Sequence, residues 1–183
     1  MKLLKMNLAN KLTILRLLMV PVFIILFEIY KTNNIVPAVV FALTASTDFL
    51  DGYIARKYNM ITTFGKFMDP LVDKVLTQAG YIVLTGAGLI PAWTVVIIVF
   101  REILITGLRT LAASNNITIA ASYFGKIKTV SQFIAIIAFL LKGTFGIPSI
   151  VLDILLYISV ITTLLSGLDY LYKNKNVLDL DNI

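Results

Sequence analysis

The chain has 183 residues, 58% of them apolar and only 14% charged, with a net charge of +6. One soluble core of this size could not bury so much apolar surface, so a membrane protein is expected. With no cysteine and no histidine, disulfides, thiolates and the commonest general base are excluded, leaving Asp, Glu, Lys and Tyr for proton transfer and a hard, oxygen-liganded ion for any metal.

In chain order, six apolar segments follow: Leu12–Tyr30, Ile35–Ala55, Leu71–Leu89, Pro91–Ala112, Phe124–Leu141 and Ile147–Tyr172. Each is near the roughly 20 residues a helix needs to cross the hydrocarbon core. Helix breakers separate them at Lys31-Thr32-Asn33-Asn34, at Gly86-Ala87-Gly88 before Pro91, and at Gly143 with Gly146-Ile147-Pro148. The pattern predicts an all-α polytopic membrane protein, with 1–183 as a single membrane domain. Met1–Asn10 reads as a short interfacial segment whose lysines meet anionic headgroups. It does not read as a signal peptide, because no small-residue cleavage site follows the first segment.

Basic residues set the orientation. Lys2, Lys5, Lys11, Arg56, Lys57, Lys66, Lys126, Lys128, Lys173 and Lys175 fall on the side of the termini, against Lys31 and Lys142 on the other. The positive-inside rule then places both termini in the cytoplasm of a cell's inner membrane. The same distribution argues against nucleic acid as a partner, since the basic residues are scattered among apolar stretches and form no soluble basic face.

In the first segment Asn10, Thr13 and Arg16, spaced by three, form one drifting polar stripe, which a helix cap and a topology-setting arginine would also explain. The second and third segments carry Asp48 and Asp51, three apart, then Asp69 and Asp73, four apart. On helices each pair shares a face. Burying four unpaired carboxylates in an apolar bundle would cost about 2.5–3.5 kcal/mol each on insertion scales. Two divalent cations would remove that conflict and would clamp phosphate. Gly52 and Gly65 would let a bulky ligand approach the backbone. Simpler readings exist: Asp69 before Pro70 makes a good helix cap, and Asp48 or Asp51 could pair with Arg56 or Lys74.

The run Asp48-x2-Asp51-Gly52-x2-Ala55-Arg56-x8-Gly65-x3-Asp69-x3-Asp73 resembles, at every fixed position, the signature of the CDP-alcohol phosphatidyltransferase family. The likeness of layout covers nearly the whole chain. It implies that Asp48, Asp51, Asp69 and Asp73 hold two Mg2+ or Mn2+ ions, and that Asp73 is also the base that deprotonates the acceptor alcohol. It implies that Gly52, Ala55, Arg56 and Gly65 line the cytidine-diphosphate pocket, with Asn10, Thr13 and Arg16 as further contacts. It also implies a CDP-diacylglycerol donor, a cavity open to membrane lipids and a homodimer.

The fourth segment adds Arg101-Glu102 and Arg109, and the fifth opens with Gly125-Lys126-x-Lys128-Thr129-x2-Gln132. Arg101 and Arg109 are a little over two turns apart and share a face. Positive-inside bias explains Lys126 and Lys128 cheaply but explains Arg101, deep in an apolar run, poorly. Arg109, Lys126 and Lys128 suit an acceptor that itself carries a phosphate, and Glu102 could orient an arginine by pairing. This arrangement, with Thr129 and Gln132, is similar to the bacterial branch of the family whose acceptor is sn-glycerol 3-phosphate. Branches forming cardiolipin or inositol-phosphate lipids share the aspartate run and are the nearest rivals. An ion-coupled transporter would show charge near the midplane and internal symmetry; the acids here cluster at one end and no repeat is visible. Asp153 and Asp169 match neither pattern.

Overall fold

The computed structural model describes residues 8–57, 63–114, 119 and 122–175; within its helices the side chains of 8–12, 48–57, 63–71, 73 and 114 lie outside the described residues. Seven helices account for almost all of them: α1 (Leu8–Tyr30), α2 (Val36–Lys57), α3 (Thr63–Gly86), α4 (Ala92–Ser114), α5 (Tyr123–Leu140), the one-turn α6 (Lys142–Phe145) and α7 (Ser149–Lys173). No strand occurs among the described residues. An apolar backbone can satisfy its own N–H and C=O groups only within a helix when water is absent, and the sequence supplies long apolar runs, one of which, α1, carries Pro21 inside it.

The ends form where the breakers stand. At the end of α3 the Leu89 N–H donates to the Leu84 carbonyl (3.0 Å) and the Gly88 N–H to that of Thr85 (2.9 Å). Gly88 sits at φ +69°, a paired-bond closure that needs a left-handed residue, which glycine adopts without a Cβ penalty. The α1 end uses Lys31 instead, at φ 49°, with its N–H on the Phe27 carbonyl (2.7 Å). Its ammonium pairs with Glu28. The Asn34 side chain then accepts the Val36 N–H (3.0 Å) and caps α2.

Several helix boundaries differ from the sequence expectation: α3 ends at Gly86 and not Leu89; Gly143, expected as a breaker, lies within α6; and two helix starts differ more. The third apolar segment was expected from Leu71, but α3 begins at Thr63, so Gly65, Lys66, Asp69 and Pro70 are all helical. Their polarity hid the extra turns from a reading based on apolar runs. Asp69 is therefore an interior helix position, which removes the cap as its explanation. The first helix likewise starts at Leu8, inside the expected interfacial segment, of which 1–7 lie outside the described residues.

Among the described residues three helices, α1, α5 and α7, are long and apolar enough to cross a membrane, and Val36–Thr47 is a shorter apolar stretch. α4 has the length but carries Arg101, Glu102 and Arg109 within it. These three charges, and not a shortage of apolar residues, set it apart from the other three.

The chain forms two compact units. The first comprises Met1–Leu89 and Ile137–Ile147, the second Ile90–Ile136 and Pro148–Ile183. In the first, α1, α2 and α3 pack against one another. Val20, Phe23 and Phe27 of α1 meet a core that includes Phe41, Val72, Leu76 and Leu84. The Phe23 and Phe41 rings tilt together with centroids 5.3 Å apart. In the second unit, α4 packs on α7, and Ile105, Leu108 and Tyr170 form a buried cluster.

Within the first unit, the turn holding α6 presses on the α1–α2 connection. The Thr144 hydroxyl donates to the Thr32 carbonyl (3.3 Å). A Cβ on Gly143 would lie 2.6 Å from both that carbonyl oxygen and the Asn33 side-chain oxygen. Backbone cannot yield as a flexible side-chain tip can. Gly143→Ala is therefore expected to lower stability by about 1–3 kcal/mol, read as a fall in the thermal midpoint in detergent; an unchanged midpoint would show that the connection moves aside freely.

Candidate active site

The four aspartates lie on the first unit's helices. Asp48 and Asp51 occupy the last turns of α2, and Asp69 and Asp73 the early turns of α3. Only residues 58–62 separate the two helices, which pack on each other, so both pairs fall toward the same end of this unit. The backbone is continuously helical through each pair, so positions 48 and 51, and 69 and 73, are each about one turn apart. This register and an all-oxygen donor set fit hard divalent cations. The side chains of Asp48, Asp51, Asp69 and Asp73 lie outside the described residues, as do those of Asn10, Arg56 and the residues around Gly52, Ala55 and Gly65.

The polar stripe of α1 runs into this region. Thr13 and Arg16 are each only 1% exposed, continuing the face of Val20, Phe23 and Phe27. An arginine that merely fixed topology would reach outward to headgroups. Arg16 instead directs its Nε to the Thr47 hydroxyl (3.4 Å), and Thr47 donates to the Thr44 carbonyl (2.6 Å). Since Thr47 immediately precedes Asp48, the buried guanidinium ties α1 to the turn that carries the first aspartate. Thr47 was not singled out from sequence, although its place beside the motif was a usable signal.

The basic residues lie in the second unit. Glu102, 6% exposed, accepts from Lys128, itself 7% exposed. It also accepts from Arg101 Nη1 (3.2 Å). The other Arg101 terminal nitrogen, Nη2, donates to the Ser166 hydroxyl (2.6 Å), and the buried Arg101 Nε has no hydrogen-bond partner among the described residues. Gln132, 1% exposed, donates to the Thr163 hydroxyl (2.9 Å), and Thr129 donates back to the Gly125 carbonyl (3.1 Å). Arg109 and Lys126 are exposed. Arg109 donates through Nε to the Tyr170 hydroxyl (3.0 Å). Exposure therefore divides the six into two groups: Arg101, Lys128, Thr129 and Gln132 are buried or half-buried, whereas Arg109, though bonded to Tyr170, and Lys126 are exposed.

Glu102 pairs with Arg101, as sequence suggested, but its buried partner on α5 is Lys128. Removing the carboxylate shared by two buried cations is costly, and Glu102→Ala is expected to lower stability by about 3–5 kcal/mol. Urea or thermal unfolding in detergent reads this; a midpoint equal to wild type would show that the cations find other compensation.

α7 supplies partners that sequence reasoning missed. Its buried Ser159, Thr163, Ser166, Gly167 and Tyr170 recur at helical spacing along one face. Thr163, Ser166 and Tyr170 hold Gln132, Arg101 and Arg109 respectively. A Cβ at Gly167 would stand 3.3 Å from Arg101 Cγ, so this glycine makes room for the arginine stem. Asp153 is exposed, and Asp169 pairs with Lys173 at 2.6 Å.

A helical, apolar chain with this aspartate run on two packed helices belongs to the CDP-alcohol phosphatidyltransferase family, whose model matches residues 6–165. Particular relatives are similar over most of their length. The CDP-diacylglycerol–glycerol-3-phosphate 3-phosphatidyltransferase of Bacillus subtilis (strain 168) is 39% identical over 191 aligned positions, covering 96% of this chain and 99% of that protein. The protein of the same name from Rickettsia typhi is 39% identical, covering 90% of this chain and 94% of its own. A probable phosphatidylglycerophosphate synthase of Mycobacterium tuberculosis (strain H37Rv) is 39% identical, covering 91% and 81%.

Proposed function

We propose that the chain is an enzyme that transfers the phosphatidyl group of CDP-diacylglycerol to sn-glycerol 3-phosphate, releasing CMP and forming phosphatidylglycerol phosphate. The observation that carries this reading is the likeness, over 96% of the chain, to a relative named for that reaction. The second unit supports it with Arg101 and Lys128 sharing one carboxylate, Glu102, and with Arg109 and Lys126 exposed. Such an excess of positive charge suits an acceptor that brings its own phosphate.

In this reading Arg109 and Lys126 meet the acceptor phosphate, while Arg101, Lys128, Thr129 and Gln132 hold the pocket's shape and charge. Asn10, Thr13, Arg16, Gly52, Ala55, Arg56 and Gly65 bind the CDP moiety. Asp48, Asp51, Asp69 and Asp73 hold two divalent cations, Mg2+ or Mn2+, whose chemistry there is to neutralise the pyrophosphate. Asp73 takes the proton of the acceptor hydroxyl. The freed oxygen bonds to the phosphorus that carries the diacylglycerol, the bond from that phosphorus to the CMP oxygen breaks, and CMP leaves.

The same reading makes residues 1–183 one catalytic domain, which the family match across both compact units supports. It gives the chain six spans in a cell's inner membrane, with termini and site on the cytoplasmic side, and a homodimeric assembly. The contact between Thr32 and Thr144 supports that topology, because it brings the connections bearing Lys31 and Lys142 together.

The test is CMP release by purified protein in detergent, from CDP-diacylglycerol and glycerol 3-phosphate, with Mg2+ or Mn2+ and with a chelator. Release that needs both the ion and the acceptor is the expected result. Release that persists in chelator would remove the metal from the account, and silence with every alcohol from folded protein would remove the reaction.

A further inference from the structure

We propose that Tyr170 of α7 is a positioning residue for acceptor recognition, fixing the Arg109 guanidinium through Nε so that its two Nη groups are aimed at a phosphate. The inference rests on the acceptor reading above and adds a residue outside every motif in the sequence.

Tyr170 is 2% exposed and packs in the cluster with Ile105 and Leu108, so its ring is a rigid platform. Arg109 lies one residue beyond Leu108 on α4 and is itself exposed. Its Nε donates to the Tyr170 hydroxyl at 3.0 Å. Its guanidinium carbon also stands over the same ring, 5.6 Å from the centroid. One aromatic side chain thus restrains the guanidinium both by a directed hydrogen bond and by its face. Among the described residues neither Nη1 nor Nη2 of Arg109 makes a hydrogen bond.

Arg101 provides the contrast on the same helix, since both of its Nη groups are already engaged, by Glu102 and Ser166. Of the two arginines, only Arg109 keeps the paired N–H fork that matches two oxygens of a phosphate monoester. An exposed arginine left free would have to be ordered as the ligand binds, at a cost in rotamer entropy. Holding Nε in advance removes part of that cost, so the effect should appear in acceptor binding and leave the chemical step alone.

Tyr170→Phe tests this, because it keeps the ring, its packing and its face while deleting the hydroxyl. With wild-type thermal midpoint, kcat and KM for CDP-diacylglycerol, the KM for glycerol 3-phosphate should rise about 3- to 10-fold, the usual worth of one hydrogen bond. In an Arg109→Ala background the same change should add nothing, since the group it positions is gone. An unchanged acceptor KM, a fall in kcat alone, or full additivity of the two substitutions would each overturn the proposal. If Tyr170→Phe does not fold, Arg109→Lys provides the second reading, because lysine keeps the charge and lacks Nε. A wild-type acceptor KM in that variant also overturns the proposal. A wild-type protein that rejects glycerol 3-phosphate defeats the acceptor reading itself and the positioning role with it. Normal wild-type use with indifferent variants defeats only the role of Tyr170.

Discussion

Replacing Asp73 with asparagine is expected to lower kcat for CMP release by about 10²–10⁴-fold while the protein stays folded. Asparagine keeps the size and one acceptor oxygen of the carboxylate but cannot take a proton from the acceptor hydroxyl. With no histidine anywhere in the chain, the commonest substitute base is absent, and Asp48, Asp51 and Asp69 are assigned to the cations. Because α3 is helical from Thr63 through Gly86, position 73 is an interior helix position, and a change that preserves shape there should leave the backbone intact. Asp153→Asn, at an exposed position of α7, provides the comparison and should turn over normally. Near-normal turnover by Asp73→Asn would move the base elsewhere.

Replacing Arg109 with alanine is expected to raise the KM for glycerol 3-phosphate by about 10- to 100-fold, as loss of a charge-assisted hydrogen-bonding group implies. The KM for CDP-diacylglycerol should hardly move. Arg109 is exposed and its hydrogen bond runs to a tyrosine, with no carboxylate among its partners in the described residues. Its charge is thus less offset than that of Arg101, which shares Glu102 with Lys128. A change in kcat with unaltered acceptor KM would show that Arg109 serves the reacting centre and does not hold the acceptor.

The sequence made much of this legible because its two strongest signals are local. Apolar runs bounded by Gly88, Gly146 and Lys31-Thr32-Asn33-Asn34 mark where helices stop, and the helices end there. The Asp48–Asp73 run mixes residue types at fixed spacing within two adjacent helices, so no tertiary information is needed to read it. The start of α3 was misread for an equally local reason. Gly65, Lys66, Asp69 and Pro70 imitate a loop followed by a capped helix, although all four are helical.

What stayed hidden depends on residues far apart in the chain. Ser166 and Tyr170 are ordinary members of an apolar segment until α7 is laid beside α4, where they meet Arg101 and Arg109. The hydroxyl and small residues at 159, 163, 166, 167 and 170 do repeat at helical spacing, and that periodicity was the available clue. Their partners could not be named from it. Arg16 shows the intermediate case: its stripe was visible, but its burial and its bond to Thr47 required the packing of α1 on α2.

The most direct test of the central claim is an acceptor competition. Purified protein would receive CDP-diacylglycerol with equal concentrations of glycerol 3-phosphate, serine and inositol, and the lipid products would be identified by mass. The account predicts phosphatidylglycerol phosphate as the dominant product, matched by CMP released. A dominant serine or inositol lipid would keep the chain in its family and contradict the assignment of its acceptor.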